Sequence, residues 1–182
     1  MRVKRLATML LLCALPGLAA AQGHDCAGEP AYRAFDFWLG EWAVHDSDGK
    51  LRGHNRITSV EGGCALREEW RSVGGNSGQS LNYFSPQTGL WRQLWVDSGG
   101  HIIDLRGALK GEDMLLIGTI RYPGESEPKA FRGRWSPLGD GRVRQFFEQR
   151  DAGGEWRTWF DGFYSPAGTA ANARDSSAAN AP

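Results

Sequence analysis

Apolar and polar positions alternate in short runs through most of the chain, and the runs are separated by glycine-rich clusters. The runs are GEWAVHDS, GHNRITSVE, ALREEWRSV, QSLNYFS, WRQLWVDS, HIIDLRGALK, DMLLIGTIRY, KAFRGRWS, RVRQFFEQR and EWRTWFDGFYS. They are rich in Trp, Phe, Val, Ile and Leu at a period of two, which predicts half-buried strands. The separators are SDGK, EGGC, GGNSG, SPQTG, SGG, KGED, PGESEP, PLGDG and DAGG. Glycine beside Asp or Asn accepts the positive φ that hairpin turns need. No segment carries a 3.6-residue apolar stripe over three turns. Ten strands with short, even connections predict an all-β antiparallel meander. Such a meander removes its exposed edges by closing into an up-and-down barrel. A two-sheet sandwich is the alternative, but the longer crossovers it uses are not seen.

The two ends of the chain differ from this pattern. MRVKR, then LATMLLLCALPGL, then Ala19, Ala20 and Ala21 form the charged, apolar and small-residue parts of a secretory signal peptide at residues 1–21. The apolar run is short for a membrane anchor. Residues 22–34 read as a lead, 35–166 as the barrel domain, and 167–182 as a small, polar, disordered tail. Cleavage after Ala21 removes Arg2, Lys4 and Arg5, so a chain balanced at 21 basic and 21 acidic residues becomes slightly acidic. It has no basic excess for nucleic acid, and no later apolar run is long enough to span a membrane. A periplasmic or secreted location follows. Cleavage also removes Cys13 and leaves Cys26 and Cys64, which pair most often in an exported chain; two free thiols are the alternative.

The stretch FDFWLGEWAV carries a resemblance. Gly40-Glu41-Trp42 opens the first strand behind the aromatic lead FDFWL. This arrangement resembles lipocalin-like (calycin) barrels, which have a 3₁₀ turn followed by Gly-x-Trp. The segments EGGCALREEW, GQSLNYFSPQTGLWRQLWVDSGG and GRVRQFFEQRDAGGEWRTWFDGFYSP extend it. With FDFWLGEWAV they resemble a family of uncharacterised, often exported bacterial proteins with a domain of unknown function, similar to nitrobindin-type ten-stranded barrels. The resemblance implies that Trp38 and Trp42 plug one end. It also implies that an arginine near the last strands, Arg144 or Arg157, covers Trp42. It brings no catalytic residues. Of His24, His45, His54 and His101, none sits in a haem-ligand motif, so no cofactor and no metal are expected.

Sorting the strands by parity sets aromatics beside uncharged or acidic polar groups on one face. Glu68 falls with Trp70, Asn82 with Phe84, Gln93 with Trp95, and Gln145 with Phe147. In the last strand Trp156, Thr158 and Phe160 share a face. A water-exposed surface prefers Lys, Arg and Glu, and a plain core excludes unpaired amides. Aromatic walls with a few placed polar groups suit a small-molecule pocket. The candidate ligand-binding residues are therefore Glu68, Trp70, Asn82, Gln93, Trp95, Gln145 and Phe147. A structural network of polar side chains and trapped water is the alternative.

Glu68, Asp97 and Glu148 are the candidate acids or bases. The sequence displays no nucleophile elbow, no His–Asp pairing and no metal-ligand cluster, so catalytic residues stay unassigned and binding is preferred to catalysis. The expected function is an extracytoplasmic barrel that binds a small apolar or amphipathic molecule. The alternatives are an enzyme using an interior carboxylate, and an envelope interaction module with a filled barrel.

Overall fold

Gly40 adopts φ +143°, a backbone conformation that side chains disfavour, and turns an aromatic lead into the first strand. In the computed structural model, residues 24–168 are described. The expected signal peptide and residues 169–182 of the expected tail lie outside them. The lead contains a 3₁₀ turn at Cys26–Gly28, a helical turn α1 at Pro30–Arg33, and a 3₁₀ turn at Asp36–Trp38. Ten strands follow: β1 Gly40–His45, β2 Leu51–Val60, β3 Ala65–Ser72, β4 Ser77–Ser85, β5 Leu90–Asp97, β6 Ile102–Lys110, β7 Asp113–Arg121, β8 Lys129–Leu138, β9 Arg142–Arg150 and β10 Trp156–Pro166. Each pairs antiparallel with the next, and β10 returns to β1, which closes an up-and-down barrel. The topology is compatible with a lipocalin-like (calycin) fold.

One end of the barrel is filled by the lead. Phe35 and Trp38 are fully buried and stack at 5.0 Å between ring centroids. Both also meet Trp135, and Phe35 meets Trp91 edge-on. Trp91 Nε1 donates to the Ala31 carbonyl at 3.1 Å, fixing α1 over the opening. Cys26 and Cys64 form a disulfide that ties the lead to the turn before β3.

The expected arginine cover on Trp42 is corrected. Trp42 Nε1 donates to the Trp38 carbonyl at 3.0 Å, and its ring meets Tyr164. Strand parity turns Arg144 outward, where it pairs with Asp161 at 2.8 Å and lies over Phe146 and Phe163. Arg157 begins β10 at the opposite end and pairs with Asp151.

The outer face mixes charged side chains with exposed apolar ones such as Leu81, Leu94, Val96 and Ile117. Arg92–Asp104, Arg132–Glu148 and Arg144–Asp161 are cross-strand ion pairs on it. The inner face is largely apolar. Among the described residues, no helix is long and apolar enough to cross a membrane.

Candidate functional site

The interior divides into two walls. On β6, β7 and β8 the inward residues are Ile103, Leu105, Met114, Leu116, Ile120, Phe131 and Trp135, each buried. Across from them, Asn55, Glu68, Ser80, Asn82, Gln93 and Gln145 are buried at mid-height. They lie on consecutive strands β2 to β5, and on β9. Tyr164 of β10 joins them.

These seven polar side chains form one hydrogen-bonded chain. Gln93 Nε2 donates to Asn82 Oδ1 at 2.9 Å, and Asn82 Nδ2 donates to Ser80 Oγ at 2.8 Å. Ser80 Oγ donates to Glu68 Oε2 at 2.7 Å. From the other side, Asn55 Nδ2 donates to Glu68 Oε1 at 2.7 Å and to the Tyr164 hydroxyl at 3.2 Å. The Tyr164 hydroxyl donates to Gln145 Oε1. Both arms deliver a donor to Glu68, so the network is set to receive a carboxylate.

Burial works against that charge. Glu68 is 2% exposed. Loss of hydration raises its pKa to about 7, although the bonds from Ser80 and Asn55 pull it down. Burial, and then the Glu68 charge, raise the Tyr164 phenol well above the usual range, so it stays protonated.

The far end of the barrel is lined by aromatics. Trp70, Trp95 and Phe160 are half-buried there, with Phe131 and Phe147 below them. Inward glycines let the rings lie flat. A Cβ on Gly53 would stand 2.6 Å from Trp70 Cη2, and one on Gly78 would stand 2.5 Å from Trp95 Cη2. Gly133 and Gly162 do the same for Phe147 and Phe160. The rings therefore lie against the wall at glycine positions, and Trp70 of β3 also reaches Phe160 of β10.

The sequence-predicted residues are thus distributed in two layers. Glu68, Asn82, Gln93 and Gln145 meet in the polar chain. Trp70, Trp95 and Phe147 stand in the aromatic layer toward the end opposite the lead. Asn55, Ser80 and Tyr164 were not among the predicted site residues. Inward parity flags each of them: Asn55 lies two before Ile57, Ser80 two before Asn82, and Tyr164 two after Gly162.

Three expectations need correction. Thr158 pairs with Glu148 and Phe160 with Phe147, so a bulge at Trp159 splits the supposed face of β10. Trp156 lies outside against Arg132, and Phe160 lies inside. Trp159 is released to meet Phe131, with its Nε1 donating to the Tyr122 hydroxyl. Second, Glu148 faces outward and binds Arg132 at 2.7 Å, which removes it as an interior acid. Third, a His–Asp pair does exist. Asp97 caps its turn by accepting from the backbone of Gly99 and His101, and its other oxygen meets His101 Nδ1 at 2.8 Å. Its i,i+4 spacing across Ser-Gly-Gly was the signal.

No family model matches the chain, and no curated protein matches it significantly.

Proposed function

We propose that the barrel takes up a small apolar or amphipathic molecule through its open end, in an extracytoplasmic compartment. The observation that carries this reading is the division of the interior: an apolar wall on β6 to β8 faces a layer of hydrogen-bonding side chains on β2 to β5, β9 and β10. An amphipathic ligand satisfies both walls at once, which is how pockets fix orientation. Half-buried Trp70 and Trp95, pressed on glycines, support an entrance. The Cys26–Cys64 disulfide supports export. So does the signal-like N-terminus. The closed ten-stranded topology is compatible with a lipocalin-like binding barrel.

Titration with N-phenyl-1-naphthylamine, a neutral fluorescent apolar probe, tests it. Uptake with a saturable rise in emission is expected, and Gly78→Leu, which crowds Trp95 into the lumen, abolishes it. A filled interior gives no saturable signal in either protein.

A further inference from the structure

We propose that the interior selects a ligand bearing one positive charge, a small primary amine with an apolar tail, whose ammonium group sits against Glu68 and Asn55. This rests on the reading that the lumen admits a small molecule.

Glu68 is a buried interior acid. Ion pairs join other carboxylates such as Asp36, Asp104, Glu148 and Asp161 to arginine. Among the described residues, no basic side chain pairs with Glu68. Its partners are one amide and one hydroxyl. The hydroxyl of Ser80 has a single proton and already accepts from Asn82, so that proton is committed to Glu68. A buried carboxylate held this way lacks the cation that ordinarily compensates it.

A second observation points the same way. Among the described residues, none hydrogen-bonds to the buried acceptor Asn55 Oδ1. It belongs to the amide whose Nδ2 already binds Glu68 at 2.7 Å. An unpaired acceptor therefore belongs to the side chain bonded to the buried carboxyl group. An ammonium has several N–H donors for that acceptor and for Glu68, and brings the missing charge. A hydroxyl has one donor and no charge. A carboxylate ligand has no donor and is repelled. Toward the opening, Trp70 and Phe160 meet edge to face, and Trp95 lies on the same layer. Their π faces favour the approach of a cation and take up an aliphatic tail.

Calorimetry on the disulfide-intact protein with hexylamine, hexan-1-ol and hexanoate at about pH 8 tests this. Hexylamine is expected to bind at least about tenfold more tightly than hexanol, the gain of one charged hydrogen bond. Hexanoate is expected to be the weakest. In Glu68→Gln the amine falls to the level of the alcohol, whose binding persists. A second arm needs no variant. As the pH drops below about 7 and Glu68 takes a proton, amine affinity falls by up to about tenfold per unit, while that of the alcohol is constant. Tyr164, the other titratable group facing Glu68, remains neutral throughout. Equal binding of amine and alcohol overturns the charge assignment and leaves the lumen reading standing. An amine preference that survives in Glu68→Gln also overturns it. Binding of none of the three overturns both.

Discussion

The indole of Trp95 lies against Gly78 on the neighbouring strand, so close that any β-carbon at Gly78 would meet its Cη2 atom at 2.5 Å. Trp70 has the same relation to Gly53. Each pair exchanges side-chain volume on one strand for a flat aromatic surface from the next. The wall is thereby sealed by aromatic surface at the glycine positions.

Gly78→Ala forces the Trp95 ring off the wall. A loss of about 1–3 kcal/mol in stability is expected from this overpacking, with a shift in tryptophan emission. Gly74→Ala is the control, because its nearest atom would be Ser72 Oγ at 3.7 Å. Equal denaturation midpoints for the two variants would contradict the packing account.

Glu68 makes stability depend on pH in a predictable direction. Its folded pKa, about 7, exceeds the ordinary value of 4.5. The folded state therefore holds the proton more tightly. The contribution is fully present below about pH 4.5 and is lost as the pH rises through 7. Between pH 5 and pH 8 it amounts to roughly 2–3 kcal/mol. Glu68→Gln removes that slope, so urea denaturation of the two proteins at both pH values isolates it. Parallel pH profiles would show that Glu68 is not desolvated as described.

Reduction tests the tie between lead and barrel. The Cys26–Cys64 bridge spans 38 positions, and closing a loop of that size stabilises by roughly 4 kcal/mol in the chain-entropy model. Thermal unfolding should shift down by about 10 °C or more with reductant present. An unchanged midpoint would mean that the lead is held by its aromatic contacts alone.

Trp42 packs at the end filled by the lead, remote from the proposed entrance. Trp42→Ala removes a buried ring and its bond to the Trp38 carbonyl. It should cost about 3–5 kcal/mol while leaving uptake of the naphthylamine probe by folded protein intact. Loss of uptake at unchanged stability would move the entrance to this end.

Much of this was legible in the sequence, because two-residue periodicity and glycine turns are local signals. The ten strands and the inward position of Glu68, Asn82, Gln93 and Gln145 came from parity alone. Parity failed where the chain departs from it. EWRTWFDGFY has aromatics at both parities, so nothing local marks Trp159 as the bulge that sends Trp156 out and Phe160 in. The cover expected on Trp42 failed because Arg144 finds Asp161 across a strand pair, a choice set by register. The partnership of Asn55 with Tyr164, 109 residues apart, depends on barrel closure between β1 and β10.

The most direct measurement is native mass spectrometry of the protein purified from its own host without denaturation. The account predicts a discrete added mass below the size of a macromolecule, retained by the wild type and absent from Gly78→Leu, whose crowded lumen cannot hold it. A bare polypeptide mass for the wild type, repeated across preparations and with no uptake of added hexylamine or hexanol, would contradict it.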